Sequence, residues 1–286
     1  MFVILGFVLV LGCVIGGFLM HHGPLAVLIQ PNELLIIGGA AVGSLLVATP
    51  LSMLKAIVSN SLGVIKGDPY SKSEYLNLLK TMFELFNVAK RDGLINVEPH
   101  IENPSQSAIF QKNQFLLHHH HALDYFCDTM RLLLGGGVPP HDLEALLDTD
   151  VETHHAKSSA VFGTVQKVGD SLPGLGIVAA VLGIIITMGK ISGPPEEIGL
   201  SVAAALVGTF LGILLCYGFV GPLASHMEHL SNSEGRYFDC IKAGILAYAK
   251  GTAPVMVVEF ARRVIVDDAR PSFLEVEKAT KELKAQ

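Results

Sequence analysis

Residues 168–184 read VGDSLPGLGIVAAVLGI. Beyond Asp170 no charge appears until Lys190. The uncharged stretch 172–188 is close to the roughly 20 apolar residues that cross a hydrocarbon core, so it reads as a short membrane-spanning helix. Three more stretches read the same way: 2–20, 34–54 and 198–223, none with a charged residue. The composition agrees. Half of the 286 residues are hydrophobic and 16 % are charged, against roughly 25 % charged in soluble domains. The expected fold is all-α: a polytopic membrane protein with four transmembrane helices and a helical cytoplasmic domain.

The first span lacks a basic leader and an A-x-A cleavage site, so it is read as retained rather than as a signal peptide. Lys and Arg fix the expected orientation. Residues 55–170 hold ten of them and 224–286 hold nine, whereas the links between spans hold only Lys190. Basic segments stay in the cytoplasm. Both termini and the 55–170 region are therefore expected inside the cell, with two short links outside the inner membrane. The chain divides on this reading into 1–54 (spans one and two), 55–170 (a cytoplasmic helical domain), 171–223 (spans three and four) and 224–286 (a cytoplasmic helical tail).

The polar regions read as helices. Tyr75, Leu76, Leu79, Met82, Phe83 and Phe86 follow the spacing of an amphipathic helix. Ser71 with Glu74 forms a capping box before it, and Gly93 ends it. A second helix is expected over 113–134, broken by Gly135, Gly136, Gly137, Pro139 and Pro140. A third starts near Asp142 and, if continuous, runs into the third span. The tail continues as helix to about Ala249, is interrupted by Gly251 and Pro254, and ends in a charged helix capped by Ser272 and Glu275.

The spans are rich in glycine, which lets helices approach closely in lipid. Their centres carry no ionisable residue. Such residues normally mark ion paths, and Glu33, Lys190, Glu196 and Glu197 fall at the outer edges. The spans offer only hydroxyls, such as Thr187, Ser201 and Thr209, and a span threonine most often bonds to its own helix. Pro173 and Pro222 stand at mirrored cytoplasmic ends of spans three and four, where a residue without an amide proton loosens a helix; they read as a candidate hinge or as boundary prolines.

No P-loop, Rossmann fingerprint, H-E-x-x-H or G-x-S-x-G occurs, so the chain does not read as an enzyme and no cofactor is expected. Energy has to come from elsewhere, and an ion gradient supplies about 2.3 kcal/mol per charge per 100 mV. The net charge of −6 argues against nucleic acid. The four cysteines show no metal spacing. The histidine run 118–121 and the pair His154 and His155 lack accompanying metal ligands and read as a solvated face, with no metal expected. Lys90, Arg91 and Glu98 flank the Gly93 turn, and Glu144, Asp148 and Asp150 lie on another helix. Charges in this pattern read as a solvated face or as a docking surface.

Four stretches resemble one family. The run 168–184 and LVGTFLGILLCYGFVGPLA, residues 206–224, are similar to the third- and fourth-span signatures of the MotA family of flagellar stator subunits, in the MotA/TolQ/ExbB superfamily. QPNELLIIGGAAVGS, residues 30–44, and VEFARRVIVDDARPSFLEVE, residues 258–277, also match. The resemblance implies a ring, of five copies, around two copies of MotB, which supplies the essential membrane Asp. Proton passage then turns the ring against the rotor protein FliG. It implies conformational and channel roles for Pro173, Pro222 and Thr209, and rotor-facing roles for Lys90, Arg91, Glu98, Asp148 and Asp150. Lys90 stands where the family often has Arg. ENPSQSAIF, residues 102–110, is similar to the longer, proton-driven branch, which makes the proton the coupling ion. Two rivals stand beside this reading. An ExbB/TolQ-like energy transducer predicts three spans, and a passive scaffold predicts no ion coupling.

Overall fold

The computed structural model describes residues 2–285. All its regular elements are helical. The apolar helices of the N-terminal part come first: α1 (Phe2–Met20), α2 (Leu25–Leu28), α3 (Pro31–Ala48) and the shorter α4 (Leu51–Val64). Polar helices follow: α5 (Lys72–Asp92), α6 (Glu98–Glu102), α7 (Gln114–His118) and α8 (His120–Gly135). The chain then forms α9 (Pro140–Met188), α10 (Pro195–Leu215), α11 (Gly221–Ala249), α12 (Pro254–Val264) and α13 (Phe273–Ala285). Among the described residues four helical stretches are long and apolar enough to cross a bilayer. The chain forms two compact units: Met1–Gly67 with Ser158–Leu230, and Asp68–Lys157 with Ser231–Gln286.

Several expected elements shift at their ends. The second span was expected to reach Leu54, but α3 ends at Ala48 and Thr49 is extended. Pro50 explains the stop, because its ring disfavours helical geometry in the residue before it. The helix expected over 113–134 is two helices parted at His119, whose ψ is 77°. The His119 ring lies 3.9 Å from that of Phe115, and its Nδ1 is 2.8 Å from the Phe115 carbonyl. The third span belongs to a single helix of 49 residues, with Pro173 inside it.

In the first unit, helices pack through two apolar clusters. Ile37 and Ala41 of α3 meet Leu172 and Ala179 of α9 and Cys216. Ile57 and Val64 of α4 meet Val161 and Val165 of α9 and Ala224 and Met227 of α11. Helix α1 buries no residue in this single chain. Large apolar side chains remain exposed along it and along α3, Phe2 and Val47 among them. Faces of that kind suit lipid or neighbouring helices rather than water.

The second unit has a core of the soluble type. Helix α5 packs its apolar face on α12 and α13, with Leu78, Leu79, Met82 and Phe86 fully buried. Burying each side chain of this size stabilises by about 1.5–3 kcal/mol. Phe86 stacks on Tyr248 at 4.5 Å, and Tyr70 and Tyr75 both lie against the buried Tyr237 ring. The capping box at Ser272 and Glu275 forms in both directions, and that at Ser71 and Glu74 in one, the Ser71 amide donating instead to the Pro69 carbonyl. The Ser71 hydroxyl accepts from the Glu74 amide, and Glu275 accepts from the Ser272 amide at 2.6 Å while its own amide donates to Ser272 Oγ.

Glu259 of α12 holds both Arg262 and Arg263, at 2.7 and 2.8 Å. The Arg262 hydrogen bond chiefly holds its carboxyl down, to about 2. The carboxylate is 18 % exposed, so solvent screens it only in part. A depressed carboxyl stabilises above its ordinary value near 4.5 and loses that contribution as pH falls towards 2. Charge-assisted bonds of this kind contribute about 1.5–3 kcal/mol. The Glu259→Gln substitution is expected to speed amide exchange in α12 by roughly ten- to hundredfold at neutral pH, with the difference shrinking towards pH 2. Hydrogen-exchange mass spectrometry of the assembled membrane complex reads both.

A glycine-lined helix pair and two groups of charges

Helices α9 and α10 run antiparallel and touch through glycine. A Cβ on Gly176 would lie 2.7 Å from the Gly208 carbonyl and 3.3 Å from Thr209 Cα. One on Gly212 would lie 2.5 Å from the Leu172 carbonyl, and one on Gly183 would lie 2.7 Å from the Ala205 Cβ. Two glycine-to-backbone approaches and one glycine-to-alanine contact thus follow each other up the pair. Van der Waals packing of this kind replaces the hydrophobic drive that lipid removes.

Of the sequence-predicted membrane residues, Pro173 and Thr209 fall on this pair and Pro222 opens α11 just beyond it. Pro173 stands beside the Leu172–Gly212 contact, and Thr209 packs its backbone on Gly176. Pro173 has no amide proton, so the Gly169 carbonyl loses its usual helix donor. Across the pair, a Cβ on Gly169 would meet Val220 at 3.2 Å and the Gly221 amide at 3.6 Å. At that point Cys216–Val220 form a π turn, closed by the Gly221 amide donating to the Cys216 carbonyl. Pro222 follows at once. Pro222 also lacks an amide proton, so a carbonyl one turn back loses its donor, and π turns of this kind mark functional helices. The two prolines therefore place two helix irregularities at one level. Thr187 donates back to the Gly183 carbonyl at 2.8 Å, the own-helix bond expected of a span threonine.

One residue was missed. Glu33 was placed at the outer edge by its position in the chain. It is the third residue of α3, but its side chain is buried, 7 % exposed, against Gly183 and Gly208. The spans therefore do enclose one ionisable group. The legible signal was the spacing: Glu33, Ile37 and Ala41 stand at i, i+4 and i+8 and are the buried residues of α3.

The five candidate rotor-facing charges fall into two groups in the second unit. Lys90 and Arg91 end α5, and Glu98 opens α6 just after the Gly93 turn, where φ is 90°. All three are exposed, and Arg91 pairs with Asp92 at 2.9 Å. Asp148 and Asp150 lie on α9. Asp148 already holds Lys242 at 2.7 Å, and one turn before it Glu144 holds Lys250 at 2.9 Å. Asp150 is exposed and lines a shallow recess with His121, Asp124, Asp128 and His154. The His118 and His119 Nδ1 atoms lie 2.7 and 2.8 Å from carbonyls one turn back. Among the described residues no group of three metal-ligating side chains comes together.

Known proteins resemble the whole chain. The description "Motility protein A N-terminal" matches residues 4–93, and "MotA/TolQ/ExbB proton channel family" matches residues 118–239. Motility protein A of Escherichia coli (strain K12) is 38 % identical over 99 % of this chain and 96 % of its own. The fold matches the structure of C. jejuni MotAB with a TM-score of 0.78, at 20 % identity over 95 % of this chain and 98 % of that one. It matches the flagellar MotAB stator complex from Bacillus subtilis with a TM-score of 0.69, at 23 % identity over 90 % and 92 % of the two chains.

The glycine contacts predict a sharp contrast. Gly176→Ala and Gly212→Ala force backbone atoms apart and are expected to lower the thermal midpoint of the purified complex by several degrees, about 1–3 kcal/mol of overpacking. Gly199→Ala, with nothing within 4 Å of its would-be Cβ, is expected to leave it unchanged. Differential scanning fluorimetry in one detergent compares the three.

Proposed function

Because the chain belongs to the motility protein A family, we infer that it is the membrane subunit of a flagellar stator, coupling proton flow to torque on a rotor. The observation that carries this is full-length identity to a motility protein A, 38 % over 99 % of the chain. The role is that of a channel and motor subunit rather than of an enzyme. Four membrane-type helices count against the three-span plan of an ExbB/TolQ-like transducer.

The finer reading follows from physics. Apart from Glu33, buried in the first turn of α3, the spans offer no charge, so the essential acid of the path comes from a second protein, in the manner of MotB. The solved relatives are MotAB complexes, which supports that partnership. The exposed apolar faces of α1 and α3 favour self-association into a ring, and five copies is the number implied by family resemblance. The basic residues favour the 55–170 region and both termini inside the cell, with residues 1–54 and 171–223 in the membrane. The coupling ion is the proton.

Pro173 and Pro222 act as the hinge. Their helices lose regular hydrogen bonding at one level, beside the Leu172–Gly212 contact, so a small change in the path bends the helix pair there. Thr209 lies on the same glycine contact, beside the path. The rotor surface is formed by Lys90, Arg91 and Glu98 together with Asp148 and Asp150, and FliG is the partner of complementary charge. Arg91 and Asp148 hold internal partners, so their removal disturbs the unit as well as the surface.

Deletion of this subunit in its own host, with any second stator set absent, is expected to leave intact, paralysed flagella. The wild-type chain restores rotation only when its MotB-type partner is also expressed. Swimming by the deletion strain would overturn the reading. Charge reversal at Lys90 or Glu98 is expected to reduce swimming more than Arg91→Ala, with complex assembly unchanged. A charge reversal in the rotor protein that restores speed separates docking from misfolding.

A further inference from the structure

Among the described residues Glu33 is the one charged side chain in the buried class. A Cβ on Gly208 would lie 2.7 Å from Glu33 Oε2, and one on Gly183 would lie 3.5 Å from Oε1. The carboxyl thus occupies the room left by two absent side chains, between α9 and α10. Gly208 stands thirteen residues after the start of α10 at Pro195, about 20 Å along the helix. Gly183 stands five residues before the end of α9 at Met188, about 7 Å. The carboxyl therefore lies between the two helices, about 7 Å from the end of α9 and at the first turn of α3. Glu33 Oε2 is buried and makes no hydrogen bond within the chain.

A buried carboxylate without a partner is costly, and an ionisable group inside a membrane bundle marks an ion path. The surroundings decide which ion. A metal cation needs a shell of oxygen ligands. Here the atoms crowding the Gly208 side are the Ala179 methyl and the Ala180 amide, and those on the Gly183 side belong to Ala205. The nearby Thr187 hydroxyl donates to its own helix. A proton needs no shell.

We propose that Glu33 is a proton-binding site in this chain's own membrane unit, in series with the acid that a partner supplies. The proposal rests on the stator reading above. Glu33 Oε2 takes a proton from water on the outer side, forming one O–H bond. That bond breaks when the proton passes to the next carboxylate along the path. No electron is transferred, and charge balances at each step.

The test uses the full complex in cells and in proteoliposomes. Wild-type complementation comes first, because its failure would sink the stator reading itself rather than this site. With wild type active, Glu33→Gln keeps the shape and the polar atoms but cannot carry the proton. Proton flux is expected to fall roughly a hundredfold, the low end of what losing a positioned proton-transfer group costs. Rotation at low load falls with it, while partner co-purification is unchanged. Glu33→Asp retains a carboxyl on a shorter arm and is expected to rotate, with a pH profile of speed displaced from wild type. Wild-type flux in Glu33→Gln would overturn the proposal, as would a wild-type pH profile in Glu33→Asp. If Glu33→Gln does not assemble, the Glu33→Asp profile decides. If neither assembles, the residue is structural and the proposal falls.

Discussion

The close approach of α9 to α10 is the constraint on which the membrane unit depends. Lipid gives apolar helices no reason to associate with each other rather than with acyl chains. What remains is contact at short range, and contact at backbone range needs glycine. Gly176, Gly208 and Gly212 supply it, with Gly183 against Ala205 further along. Once that pair is set, other positions are no longer free. Thr209 is held against α9, the Leu172 carbonyl is pressed on Gly212, and Ile37 and Ala41 of α3 pack with Leu172 and Ala179. A cavity for a carboxyl exists only because Gly183 and Gly208 lack side chains. The same substitution pattern that closes the pair therefore opens the place for Glu33.

The second unit follows ordinary soluble rules, which is why so much of it could be read from the chain. Ser71 with Glu74 and Ser272 with Glu275 are local devices spanning four residues; the second forms in both directions and the first through the Ser71 hydroxyl. The apolar stripe of α5 is likewise local, and it is buried. What could not be read was set by distant partners. Lys242 and Lys250 give no sign in the sequence that they will bind Asp148 and Glu144, 94 and 106 residues away. The break at His119 depends on a ring packing against Phe115 and facing Tyr70. Helical periodicity through residues 113–134 hid it.

Glu33 shows the same limit inside the membrane. Sequence position placed it at a span end, because the uncharged stretch 34–54 begins just after it. An acid in the first turn is also what the helix dipole favours, so its presence there needed no further cause. Its fate was decided by residues about 150 and 175 positions later: glycines whose would-be side chains its oxygens replace. The spacing with Ile37 and Ala41 gave the face but not the neighbour. Depth in a bundle is a tertiary property, and counting residues from a helix end measures it only for that helix.

The internal ion pairs also bear on how the charged surface can work. An exposed charge that already holds a partner has to trade one bond for another when something docks, so its net contribution to docking is small. Asp148 with Lys242 and Arg91 with Asp92 are in that position. Exposed Glu98 continues a 3-10 turn over Leu94–Val97, its amide donating to the Ile95 carbonyl, and Lys90 stands in the last turn of α5, where the carbonyls favour a cation. Gly93, at φ 90°, turns the chain between them, a geometry that costs other residues energy. The turn thus presents one charge of each sign from two helix ends. A partner surface of complementary charge meets such a pair in one register, which would give a contact direction as well as affinity.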